Sequence, residues 1–251
     1  MRVLTILWKN MKWRYHNEFT IIITILQPIL WLVLYSAVAG QTMQNTGIEN
    51  YTAFILPGLV ILVSFSTCSS SGIMNYMMKS EGSFYRVLIA PIKRSSIILG
   101  QILEAVLCTF LEVGIMGIIS LFFSVPLLNG AASMVAIFFL IFLTAFFMAA
   151  IAYGMSLILP NEMIYETIMN AIVLPIFFLS SALFPIDEIS GVLKVIINLN
   201  PFTHVINSLR FIMMTGVVQW KGIYISILLL VVLSFLAFAF ANNRLKKEMD
   251  L

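Results

Sequence analysis

The sequence predicts an all-α polytopic membrane protein, and three observations carry that prediction. Of its 251 residues, 61% are hydrophobic and only 10% are charged, against about 45–50% and about 25% in an average soluble domain. Six stretches are long and apolar enough to cross a bilayer, for which about 20 residues are needed. The basic residues gather in blocks beside these stretches instead of spreading along the chain. A soluble fold of this size leaves about a quarter of its unfolded-chain area exposed and could not cover so much apolar surface. A soluble enzyme, a secreted disulfide scaffold and a disordered chain are thereby excluded. Cys68 and Cys108 both sit inside apolar runs and read as buried free thiols.

The first element, residues 1–17, is predicted to be an amphipathic helix lying along the membrane surface. Val3, Leu4, Leu7, Met11 and Tyr15 share one helical face, and Arg2, Thr5, Lys9, Lys12 and His16 share the other. Trp8 and Trp13 stand at the flanks, where indole rings favour the headgroup layer. The alternative is a basic flank that only sets topology. No A-x-A site follows the first apolar run, so a cleavable signal peptide is not expected.

Six spans follow, over residues 19–40, 53–78, 97–123, 134–159, 167–183 and 220–241. Pro28 and Pro175 should bend the first and fifth. The loops orient them, because cytoplasmic loops carry an excess of Lys and Arg. Eleven of the 14 basic residues lie before the first span, between the second and third, or after the sixth. Only Lys194, Arg210 and Lys221 fall on the opposite side. Six spans with both termini cytoplasmic satisfy this bias. The run Ser64, Ser66, Thr67, Ser69, Ser70, Ser71 and Gly72 in the second span suits close helix packing. The 1–251 chain reads as one transmembrane domain.

Two acids lie in the third span, Glu112 near its middle and Glu104 about 12 Å nearer the cytoplasm at 1.5 Å per residue. A carboxylate at the bilayer centre costs roughly 2.5–3.5 kcal/mol on insertion scales, so each must face protein or water. Glu112 reads equally as a lining of a substrate path or as an interhelical hydrogen bond to the Ser64–Ser71 stretch. Glu104 reads as the latter, near the cytoplasmic rim.

The loop at residues 79–94 carries Phe84, Tyr85, Val87 and Leu88 beside Arg86, which is more than topology requires. Gly82 permits a turn and Pro91 stops a helix, framing a short helix with an apolar face. It reads either as an insert for a cytoplasmic partner or as a loop resting on the membrane. The segment at residues 184–219 is too apolar for a solvated loop and too broken to span. It divides into 191–199 and 201–214, with Asn200 as helix cap and Pro201 at the first helical position. Two short helices dipping into the outer leaflet are preferred over two lying flat on it.

Enzyme chemistry has no foothold. No P-loop, H-E-x-x-H, C-x-x-C or G-x-S-x-G run is present. His16 and His204 lie on opposite sides by this topology, so no metal site is expected. An ion-coupled carrier would need a basic partner for Glu112 in another span, and none is apparent. A polytopic enzyme acting on lipid is the rival class, opposed by the missing polar constellation.

The run Glu81, Gly82, Phe84, Arg86, Leu88 and Pro91, followed by Gly100, resembles that of type-2 ATP-binding-cassette transporter permeases. So do Leu56-Pro57-Gly58, Leu183-Phe184-Pro185, and Asn200, Pro201, Phe202 and His204 with Arg210 six residues on. The closest branch is that of drug and nodulation-factor exporters, whose ATPase is a separate polypeptide. The resemblance covers essentially the whole chain. It implies that residues 81–91 form a coupling helix seated in an ATPase subunit, through Glu81, Gly82, Phe84, Tyr85, Arg86, Val87, Leu88 and Pro91. It implies a working unit of two permeases, as a homodimer, and two ATPases. The partner would bind ATP and magnesium, and this chain would bind no cofactor. External re-entrant helices would carry Asn200, Pro201, His204 and Arg210. The implied activity is export of an amphipathic drug, antibiotic or lipid-like molecule across a bacterial cytoplasmic membrane. A lipid-linked glycan is the alternative cargo. Membrane lipid and a hydrophobic substrate are expected partners, and nucleic acid is not.

Overall fold

The computed structural model describes residues 2–15, 18–42, 50–90, 92–123, 125, 130–183, 185, 189–218 and 220–249. Among these residues the fold is all helix, with no strand. In chain order the helices are α1 (Arg2–Arg14), α2 (Glu18–Thr42), α3 (Tyr51–Ser80), α4 (Ser83–Leu88), α5 (Arg94–Phe122), α6 (Ala131–Ser156), α7 (Glu162–Phe178), α8 (Val192–Leu199), α9 (Pro201–Thr215) and α10 (Trp220–Met249). Among the described residues, four of them, α3, α5, α6 and α10, are long and apolar enough to cross a membrane. Among the described residues of α2 a shorter apolar stretch runs over Leu26–Ala37, and α7 has 17 residues.

The fifth apolar stretch becomes a helix shifted toward the N-terminus, 162–178 instead of 167–183. Asn161 starts it by accepting a hydrogen bond from the Ile164 amide at 2.9 Å, so the acidic first turns join the helix. Pro175 stands one turn from the C-terminal end, so it helps close the helix rather than bend a longer one. Residues 179–183 then form a turn, with the Ser180 hydroxyl donating to the Phe177 carbonyl. The sixth stretch extends instead, since α10 runs on through Arg244, Lys246 and Lys247 to Met249.

α3 is the most enclosed of the four long helices. It packs on α6, α5, α2, α9 and α7, and α10 closes the bundle against α6 and α9. Both cysteines are free and buried. α1 lies along α5, where a Cβ on Gly100 would stand 2.6 Å from Cγ2 of Ile6, so only glycine lets the two helices meet there. The face of α1 turned to the bundle differs from the expected one. Ile6, Asn10 and Arg14 are buried, while Leu4 is 65% and Trp8 74% exposed. In a hydrated protein this would be inverted. For a helix at a membrane surface it is economical, because lipid can cover the apolar side while polar partners on α5 satisfy Asn10 and Arg14.

Candidate functional site

Three groups of side chains stand out. The first is at the basic end of the bundle, where α3 turns into α4. Gly82 makes the turn with φ 70°, a left-handed conformation that costs other residues a Cβ clash. The resulting short helix is mounted through Phe84, which is 3% exposed. The Lys79 ammonium lies 5.2 Å from the Phe84 ring centroid and 3.2 Å from Glu248 of α10. Val87 and Leu88 also pack against the core. The apolar set expected to face outward is therefore divided. Phe84 and Val87 anchor the helix to its own chain, and Tyr85, Arg86 and Ile89 stand outside. Ile89, 85% exposed, was not singled out by its sequence context. Glu81 is exposed as well, and Pro91 lies outside the described residues.

The second group is the pair of intramembrane acids. Glu104 does not reach a rim. It is fully buried, and its Oε1 accepts from Arg14 Nε at 2.8 Å while the Ser71 hydroxyl donates to Oε2 at 2.9 Å. Beside this pair, Asn10 donates to Gln101 at 2.7 Å. Glu112 accepts from the Thr67 hydroxyl at 2.6 Å. Both acids thus meet the hydroxyl-rich face of α3, as the packing reading expects. Glu112 also lines a cavity of about 310 Å³ between α2, α3 and α7. Arg14 was missed because its place in a basic terminal block disguised it. The spacing Ile6, Asn10, Arg14, one turn apart each time, was the available signal.

The third group joins α9 to the turn after α7. Asn200 caps α9 by accepting from the Phe202 amide at 3.0 Å, and its amide group donates to the Ile176 and Leu179 carbonyls at 2.7 and 2.9 Å. Arg210 donates from Nε to the Phe54 carbonyl at 2.9 Å, from one terminal nitrogen to the Ser181 and Ala182 carbonyls, and from the other to Asn207. Its guanidinium carbon sits 3.7 Å from the Phe54 ring centroid. Tyr51 donates to the Leu183 carbonyl at 2.9 Å. A Cβ on Gly58 would stand 2.8 Å from Cα of Ala182. His204 is within 3.0 Å of the Asn198 carbonyl, and Pro201 occupies the first position of α9. The sequence brought these residues to notice, and the structure joins them into one block with the start of α3. Phe184 lies outside the described residues.

Among the described residues no group of three His, Cys, Asp or Glu is arranged to hold a metal ion.

The ABC-2 type transporter family matches residues 1–214 of the chain. The putative transport permease ycf38 of Cyanophora paradoxa is 29% identical over 199 residues, covering 78% of this chain and 68% of that protein. Nodulation protein J of Rhizobium meliloti is 21% identical over 254 residues, covering 95% and 92%. ABC transporter G family member 20 of Dictyostelium discoideum is 27% identical over 197 residues, which is 76% of this chain and 26% of that protein.

Proposed function

This chain belongs to the ABC-2 type transporter family, and from that membership we propose that it is the permease subunit of an ATP-driven exporter whose ATPase is a separate polypeptide. It is a multi-pass membrane protein from a family of transport permeases, and so not an enzyme by itself. The partner binds ATP and magnesium, and two permeases and two ATPases make the working unit in a bacterial cytoplasmic membrane. α2, α3, α5, α6, α7 and α10 are the six spans, with both termini cytoplasmic. The basic blocks beside α1, α4 and the end of α10 support that orientation.

The observation that carries the reading is the mounting of α4. Its Phe84 is buried, whereas Tyr85 and Arg86 on the same short helix and Ile89 at its C-terminal cap stand exposed. A loop that only tethered two spans would have no need of a buried anchor beneath an exposed aromatic, cationic and aliphatic set. An ATPase groove would take that set, with a carboxylate opposite Arg86.

Helices α8 and α9 are read as re-entrant from the outer side. The C-terminal end of α9 is tied to the start of α6, where Ser133 donates to the Gly216 carbonyl at 2.8 Å. Its N-terminal end packs Phe202 edge-on to Phe65, with centroids 4.6 Å apart. Phe65 is 14 residues past the start of α3, about 21 Å along it. The contacts of α9 thus run from a helix end to the middle of α3, as a dipping helix requires. The cavity beside Glu112 is taken as part of the substrate path. It opens beside the exposed side of α7, where Leu174 and Phe178 would be covered by a second copy of the chain.

The test is to express Tyr85→Asp and Arg86→Glu with the cognate ATPase. Both variants should insert normally, since Lys79, Lys93 and Arg94 keep the basic bias. Each should lose copurification of the ATPase or lose substrate-stimulated turnover in liposomes. Normal copurification and normal coupled turnover in both would reduce α4 to a tether.

A further inference from the structure

The charge and polarity of the cavity beside Glu112 go further than its position. Among the described residues its lining includes two carboxylates, Glu112 and Glu166, and no Lys, Arg or His. Among the described residues, Arg14 is the basic group paired with an acid of α5, and its ion pair is with Glu104. Glu112 takes a single hydrogen bond among the described residues, from Thr67 to Oε2, which leaves Oε1 without a donor. A carboxylate at this depth is costly unless something neutralises it.

The lining is also sorted along its length. In α2, Gln27 precedes Trp31 and Tyr35, and in α7, Glu166 and Asn170 precede Leu174 and Phe178. In α3, the order is reversed, with Leu62 and Phe65 before Ser69 and Ser70. By the proposed topology α2 and α7 run outward and α3 runs inward. The polar groups therefore gather toward the cytoplasmic half and the apolar and aromatic ones toward the outer half. Gln27 and Ser66 meet across the polar part at 3.3 Å. Trp31 and Tyr35 stack in the apolar part with centroids 5.5 Å apart.

We infer that the cavity selects an amphiphile carrying a positive charge, held with its cationic group toward Glu112 and Glu166 and its apolar body among Trp31, Tyr35 and Phe178. Carboxylates in a described lining that holds no basic side chain attract a cation over an anion of equal size, and aromatic walls add to that preference. The same lining repels the phosphate of a lipid-linked glycan. The inference rests on the cavity being the substrate path proposed above.

The experiment uses an isosteric pair of opposite charge, tetraphenylphosphonium and tetraphenylborate. The full-length permease is placed in phosphatidylcholine nanodiscs, and binding to empty discs is subtracted. The phosphonium should bind saturably and about tenfold more tightly than the borate. Glu112→Gln and Glu166→Gln should each weaken the phosphonium by about three- to tenfold without weakening the borate. Glu112→Gln keeps an oxygen for Thr67, and Glu166 is exposed, so neither change threatens folding. Ser69→Trp, which fills the cavity, should abolish binding of both ions. Equal binding of the two ions, lost in Ser69→Trp, would end the charge assignment and leave the path standing. Binding untouched by Ser69→Trp, or no saturable binding of either ion, would remove the path itself and the inference with it.

Discussion

Arg14 of α1 and Glu104 of α5 form a buried ion pair, Nε to Oε1 at 2.8 Å, with side chains 7% and 0% exposed. A residue from the N-terminal helix thereby supplies the counter-charge for a carboxylate inside the bundle. Ser71 of α3 donates to the other oxygen, so one carboxylate ties three helices together. The geometry makes α1 part of the fold and not a loose flank. It also connects α1 to α4, since Ile6, Lys9 and Asn10 share a small cavity with Phe84 and Val87.

The first prediction follows from that pair. Removing one partner of a buried ion pair costs about 3–5 kcal/mol, because the other charge is left buried alone. Arg14→Leu should therefore lower thermal stability more than Glu104→Gln, whose amide oxygen can still accept from Arg14 while its NH2 group donates to the Ser71 hydroxyl. Cys108, with its thiol 3.5 Å from Glu104, provides the readout as its reaction with a thiol-sensitive dye on heating. An Arg14→Leu protein that melts with the wild type would show that the pair contributes nothing.

The second prediction separates anchor from docking face in α4. Phe84→Ala removes a buried ring and should cost about 3 kcal/mol or more if the site does not collapse. Ile89→Ala alters an exposed side chain and should change stability by about 0.5 kcal/mol or less, yet weaken capture of the ATPase. The comparison needs melting and copurification measured on the same preparations. Equal effects of the two substitutions on both readouts would contradict the division of the helix.

Much of the helical layout was legible because apolar runs are what a bilayer selects. Five of the six predicted spans coincide with a helix whose start lies within three residues of the expected one. The fifth was displaced because hydropathy discounts Glu162 and Glu166, whereas Asn161 caps a helix before them. The faces of helices were less legible. Hydropathy assigns apolar residues inward, and α1 turns Asn10 and Arg14 inward because α5 offers Gln101 and Glu104. The same tertiary choice decides that Phe84 is an anchor and Ile89 is exposed, since a six-residue helix has no periodicity long enough to distinguish them. Glu104 and Glu112 were found as isolated acids in an apolar run. Their different surroundings, an arginine for one and a cavity for the other, depend on helices distant in sequence.

A third prediction tests orientation. Single cysteines at Lys9, Lys93 and Lys247 should resist an impermeant thiol reagent in intact cells, and one at Asn45 should react. Asn45 lies outside the described residues. Reaction of the residue-93 cysteine from outside would overturn the six-span orientation.

The last prediction concerns the outer block, where Arg210 holds three carbonyls from two separate segments, Phe54 on α3 and Ser181 and Ala182 after α7. The planar fork of guanidinium donors reaches these acceptors together, and its face lies on Phe54. A lysine ammonium is a single point with no plane to stack, so it cannot replace the fork at this site. Hydrogen bonds to charged groups contribute about 1.5–3 kcal/mol when buried. Arg210→Lys should therefore destabilise by about that amount despite keeping the charge, and Arg210→Met should do at least as much. Loosening of the 179–183 turn from α3 should also raise the reactivity of a cysteine placed at Ser181 toward an external thiol reagent. Gly58→Ala attacks the same contact from the other side by forcing a methyl group against the Ala182 backbone, and should raise that reactivity as well. A lysine variant with wild-type melting and an unreactive residue-181 cysteine would mean that charge alone, and not the guanidinium geometry, holds α9 to the start of α3.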